Sequence, residues 1–112
     1  MKYPAPIEIS QVVTGQTLYL LMLYSGKERA GHGDSVEDWI VTATVKSIAE
    51  GILTVSIDDT AQEVSFYIYN RFHEVGKGKS DYRPFLQLKD AYAYEDCSRR
   101  NREYHSIHIK RA

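Results

Sequence analysis

The chain has 112 residues, 43% of them hydrophobic and 26% charged, with a formal net charge of −1, which suits a single domain that buries one modest core without staples. Its one cysteine, Cys97, excludes an internal disulfide and fits a reducing compartment. The opening MKYPAPIEIS lacks an apolar signal core, and the longest apolar run, Leu18 to Tyr24, falls far short of the roughly 20 residues of a membrane span; the sequence reads as cytoplasmic, with no membrane partner.

Residues 16–24 (QTLYLLMLY) are dense in apolar and aromatic side chains and follow Gly15, which predicts a buried strand. After the longer loop SGKERAGHGDS (25–35), Trp39, Val41, Ala43 and Val45 alternate with Ile40, Thr42, Thr44 and Lys46, the period of a strand with one face inward. Ala49-Glu50-Gly51 supplies a turn in which Gly51 can take positive φ, and Leu53, Val55 and Ile57 resume the alternation as a hairpin. A second turn, Asp58-Asp59-Thr60-Ala61, leads to Val64, Phe66 and Ile68 on one face and Ser65, Tyr67 and Tyr69 on the other. These strands, within 15–70, form a meander that must curl to hide its edges. The expected outcome is a small SH3-like antiparallel β-barrel, with Trp39, Val41, Val55, Phe66 and Ile68 buried together.

The pattern breaks at RFHEVGKGKSDYRP (71–84), whose glycines and lysines predict an exposed basic loop. Phe85, Leu86 and Leu88 then anchor a helix over 89–106, with Asp90 at its cap and Ala93, Cys97, Tyr104 and Ile107 turned inward beside the stem of Arg100. A competing pattern alternates Ile107 and Ile109 in a short strand that closes the barrel. Either way the chain is one mainly β domain, 1–112, and in the first case a C-terminal helix packs on it.

Charge is unevenly distributed. Up to Asn70 there are four Lys/Arg against nine Asp/Glu, and from Arg71 onward ten against six. An acidic first part and a basic second part describe a two-faced particle, or one whose halves neutralise each other. Two surfaces could use the basic part. Tyr19, Tyr67 and Tyr69 on strand faces opposite the core, beside Arg71, Lys77, Lys79 and Arg83, are the ingredients of a base-stacking barrel face, unless the helix covers the tyrosines with Tyr92, Tyr94 and Tyr104. Arg99, Arg102 and Lys110 make the second, on the helix.

Motifs for chemistry are weak. His105 and His108 are three apart and could share one metal, but a zinc site needs four ligands and no Cys-x-x-Cys partner exists. Two histidines at a helix end suit the carbonyl dipole instead. Gly78-Lys79-Ser80 looks like the end of a phosphate loop, yet the required earlier glycine is His73. Along a helix Cys97 stands roughly 12 and 16 Å from the two histidines, too far for a nucleophile and its base. No catalytic residue, metal or cofactor is assigned, and a non-enzymatic protein is expected.

GQTLYLLMLY, the hairpin TVKSIAEGILTVSI and the later FLQLKDAYAYEDCSRRNREYHSI resemble the layout of small β-barrel proteins common in phages and other mobile elements, a compact barrel followed by a charged helix. The resemblance spans most of the chain and implies a lifestyle rather than a chemistry. It points to a binding protein that engages a host protein in the host cytoplasm, most concretely an inhibitor of a nucleic-acid-handling defence complex, of the anti-CRISPR kind. The rival expectation is a direct nucleic-acid binder, and a further one is an oligomeric assembly component.

Overall fold

The computed structural model describes residues 3–4, 7–23, 33 and 35–111, with side chains up to Asn101 except that of Asn70. Five antiparallel strands, β1 (Thr17–Met22), β2 (Ile40–Ala49), β3 (Ile52–Ile57), β4 (Glu63–Tyr67) and β5 (Tyr82–Phe85), form one sheet in the order β4-β3-β2-β1-β5. The sheet curls into a half-barrel, and a helix, Leu88–Arg111, packs against it.

The period-two alternation sets which face lies inward. Leu18 pairs with Ala43, Val45 with Val55, and Leu53 with Phe66, so the side chains of each pair share the concave face. All six are buried, and Phe72 and Tyr82 join them from outside the meander. Of the residues expected in the core, Val55 and Phe66 are fully enclosed, whereas Trp39, Val41 and Ile68 pack against it half-buried. Register slips between Val45 and Ser47, where β2 bulges. The bulge returns Ile48, rather than Ser47, to the inner side, and the added twist helps the sheet curl.

Turns follow their local chemistry. Glu50 (φ 55°) and Gly51 (φ 78°) are the two central residues of the β2–β3 hairpin, the left-handed pair that matches strand twist. After β3, the Ala61 amide donates to the Ile57 carbonyl at 2.8 Å, and the Thr44 hydroxyl donates to the Asp58 carboxylate across the sheet at 2.8 Å.

β1 explains its own composition. Leu18, Leu20 and Met22 point into the core, while Leu21 on the opposite face is equally buried, against Phe85 and Ala91. This inner strand is thus covered on both sides, which is why it reads as a nearly continuous apolar run.

Four features differ from the sequence expectation. The stretch 71–84 is not all loop: β5 begins at Tyr82 and pairs with β1, Tyr82 opposite Met22 and Pro84 opposite Leu20. Pro84 is tolerated because β5 is an edge strand, where a missing N–H breaks no ladder. The helix starts at Leu88 and runs to Arg111, so Ile107 and Ile109 are helical and do not form a closing strand. Asp90 lies in the first turn, where its charge suits the dipole, and is not the cap. Finally, the helix covers the outer face of β1 and β5 with Ala91 and Tyr94, leaving Ala93 exposed and leaving Tyr67 and Tyr69, at the other end of the sheet, uncovered.

Both sheet edges meet at Glu74. Residues 73–75 run beside β4, the Tyr67 amide donating to the His73 carbonyl and the Val75 amide to the Ser65 carbonyl, each at 2.9 Å. From that ribbon the buried Glu74 carboxylate accepts the Asp81 amide at 2.7 Å and the Tyr82 amide at 2.6 Å, at the start of β5.

Two stability outcomes follow from the packing. Phe66→Ala is expected to cost about 3–5 kcal/mol in urea denaturation, through lost transfer energy and a cavity; a negligible shift would contradict the register. Glu74→Ala is expected to lose about 1.5–3 kcal/mol, because two amides are stranded, and Glu74→Gln, which keeps a carbonyl acceptor, less. Equal stability of the alanine variant and the parent would show that the edges hold without this carboxylate.

Candidate binding cleft

Between β4 and β5 the chain makes an uncommon move. Arg71 (φ 56°) and Phe72 (φ 57°) are consecutive non-glycine residues in the left-handed region, a conformation that costs roughly 1–2 kcal/mol per residue. The reversal carries the Phe72 ring into the core and leaves Arg71 exposed at the surface. Burial of an aromatic ring offsets that strain.

Downstream, a short polar network shapes the loop. His73 donates from Nε2 to the Lys77 carbonyl at 2.7 Å, so in the neutral ring Nδ1 is an acceptor and takes the Ser80 hydroxyl at 3.1 Å. Ser80 Oγ in turn accepts the Glu74 amide at 2.9 Å. The pair holds the loop closed around Glu74, and Ser80 and Lys79 are set on its outer rim.

Arg83 comes from β5, opposite Leu21 and thus on the outer face. Its guanidinium lies 4.8 Å from the centroid of the Tyr94 ring and donates from Nη1 to the Arg71 carbonyl at 3.3 Å. Its Nε is buried with no hydrogen-bond partner. Stacking on Tyr94 fixes the plane of the cation.

Two adjoining depressions open here. One, of about 330 Å³, is lined by Arg71, Lys79 and Arg83 together with His73, Ser80 and Tyr82. The other, of about 450 Å³, is lined by Tyr3, Pro4, Ile7, Phe85 and Tyr94. Arg71, Phe72 and Arg83 border both. Rings in the second pack on one another, Tyr3 to Tyr94 at 5.0 Å and Phe85 to Tyr94 at 5.6 Å, and Asn101 donates to the Tyr3 hydroxyl at 2.6 Å, tying the N-terminal segment to the helix.

The structure therefore gathers Arg71, Lys79 and Arg83, but not every residue picked out in the sequence. Lys77 is drawn away to the Asp81 carboxylate at 2.7 Å, and that hydrogen bond and charge raise its pKa. Tyr67 and Tyr69 are 39% and 78% exposed and line neither depression. On the helix, Arg99 and Arg100 both reach Asp96, at 2.7 and 3.2 Å. The side chains of Arg102, His105, His108 and Lys110 lie outside the described residues, and Cys97 is buried. Among the described residues no group of three or more His, Cys, Asp or Glu could hold a metal ion.

Several contributors carry no local signal in the sequence. Phe72 and Glu74 matter only because the chain reverses at Arg71, and Tyr3 and Ile7 only because the N-terminal segment docks near Tyr94. Glu37 sits in the helical turn Val36–Trp39, where it accepts a hydrogen bond from the Tyr92 hydroxyl. Burial first, and then that carboxylate, raise the Tyr92 pKa.

The strained position separates fold from charge. Arg71→Gly relieves the left-handed penalty but loosens the unfolded chain, so stability should be unchanged or rise by up to about 1 kcal/mol in thermal melts. A marked loss would show that the Arg71 side chain itself supports the fold.

No family model, curated protein or solved structure matches this chain, so function rests on the geometry of the cleft.

Proposed function

We propose that this chain is a non-enzymatic binding domain that engages a protein partner through the cleft at Arg71, Lys79 and Arg83. One observation carries the reading. Three cations of the stretch 71–84, Arg71 after β4, Lys79 in the loop and Arg83 on β5, border one concave site, none has a carboxylate partner among the described residues, and an apolar depression adjoins them. Cations gathered in one cleft raise the local potential in a molecule whose net charge is only −1. Such a surface steers acidic partners and discriminates against basic ones. The resemblance to phage barrels gives the partner its identity in this reading: a host protein of a nucleic-acid-handling defence complex, met in the cytoplasm. No helix among the described residues is long and apolar enough to cross a membrane.

Direct binding of single-stranded nucleic acid is the second reading. The uncovered Tyr67 and Tyr69 favour it, since exposed rings are stacking platforms for bases.

Affinity capture from host lysate, with and without nuclease, separates the two. The expected result is a protein that survives nuclease and is lost when Arg71 and Lys79 are both reversed to glutamate, with the charge effect largest at low salt, where exposed charges are least screened. Capture that vanishes with nuclease selects the second reading, and capture indifferent to the reversals removes the cleft from the contact.

A further inference from the structure

Resting on the cleft as the contact site, we infer that it recognises a short protein segment in which a large apolar side chain stands beside a carboxylate. The two depressions differ in chemistry and share a wall. The larger, about 450 Å³, is mostly apolar and aromatic and amply roomy for one large side chain. Arg71 and Arg83, with Phe72, form its border with the smaller one. A group seated between Ile7, Phe85 and Tyr94 therefore places its chain neighbours against two guanidinium groups, the fork that matches a carboxylate.

Arg83 is prepared for that role. Stacking on Tyr94 and donation to the Arg71 carbonyl restrict its motion before a ligand arrives, which lowers the ordering cost of binding. Its Nε is buried without an acceptor, an N–H whose lost hydration nothing compensates. An incoming anion supplies the missing negative charge.

Nucleic acid fits the same cleft less well. Stacking requires a ring with an open face, whereas Tyr94 has Arg83 over its ring and the Tyr3 and Phe85 rings tilted against it at 50° and 53°. Nor does Lys77, the other cation of this loop, extend the site toward further phosphates, since it is held by Asp81. The cleft is built for one local negative group next to one apolar group.

Peptide probes test this directly. Fluorescein-labelled Gly-Ser-Glu-Phe-Glu-Ser-Gly is titrated with the full chain by fluorescence anisotropy, beside versions carrying Ala for Phe or Gln for both Glu, and beside an oligo-thymidylate. The parent peptide should bind, each altered peptide should bind roughly tenfold or more weakly, and Arg71→Gln and Lys79→Gln should each weaken the parent peptide severalfold. Amide resonances of Ile7, Phe85 and Tyr94 should shift on titration. Equal binding of the Ala version, preference for the oligo-thymidylate, or no binding of any peptide each overturns the proposal. If none binds while the Arg71 and Lys79 reversals still abolish lysate capture, the cleft remains the contact and its ligand chemistry is wrong. If capture also ignores those reversals, the cleft itself was misassigned.

Discussion

The Glu74 carboxylate sits where the two edges of the curled sheet come together, and the arrangement of everything nearby depends on it. An open antiparallel sheet leaves unpaired amides along both outer strands. Here residues 73–75 satisfy β4, and the carboxylate reaches on to the amides of Asp81 and Tyr82, where β5 begins. A charged acceptor in a buried place makes strong hydrogen bonds but carries a high desolvation cost, and two short bonds from amides are what make it tolerable. Since the same ribbon bears His73 and the same loop bears Lys79 and Ser80, fixing the seam also fixes one side of the cleft.

The other side is fixed by a different force. Burial of Leu21, Phe85 and Ala91 holds the helix on the outer face of β1 and β5, which brings Tyr94 under Arg83. Polar closure on one flank and apolar packing on the other thus converge on the strip that holds Arg71 and Arg83. The left-handed backbone at Arg71 and Phe72 is the junction between them: the first residue faces the solvent and the next the core.

Much of this frame is legible in the residues. Alternation in Ala43, Val45, Leu53, Val55, Val64 and Phe66 predicts the inner face, and Glu50-Gly51 predicts the turn. What escapes is set by contacts far apart in sequence. β5 is short, contains Pro84 and follows a glycine-rich stretch, so local propensity argues against a strand, and only pairing with β1 makes it one. On the helix, Ala91 rather than Ala93 meets Leu21, because packing on β1 and β5 and not the apolar spacing alone sets which face turns inward. For the cleft, the basic character of 71–84 and the choice of Arg71, Lys79 and Arg83 come from the sequence. The diversion of Lys77 to Asp81, and the apolar wall from Tyr3, Ile7 and Tyr94, require the fold.

Burial of β1 on both faces has a consequence for how this chain reaches its final state. β2, β3 and β4 are joined by short turns and pair with sequence neighbours, so their contacts are local. β1 must instead await β5, more than sixty residues away, and the helix beyond it. Loop closure over that separation is entropically slow relative to hairpin formation. Until it happens, Leu18-Tyr19-Leu20-Leu21-Met22 has a bare outer face and an unpaired edge, with no charge or proline to interrupt it, the composition of a segment that joins other copies of itself. The helix is therefore a guard over the stickiest strand as well as a wall of the cleft, and loosening it exposes the chain to self-association before it disturbs the hairpins.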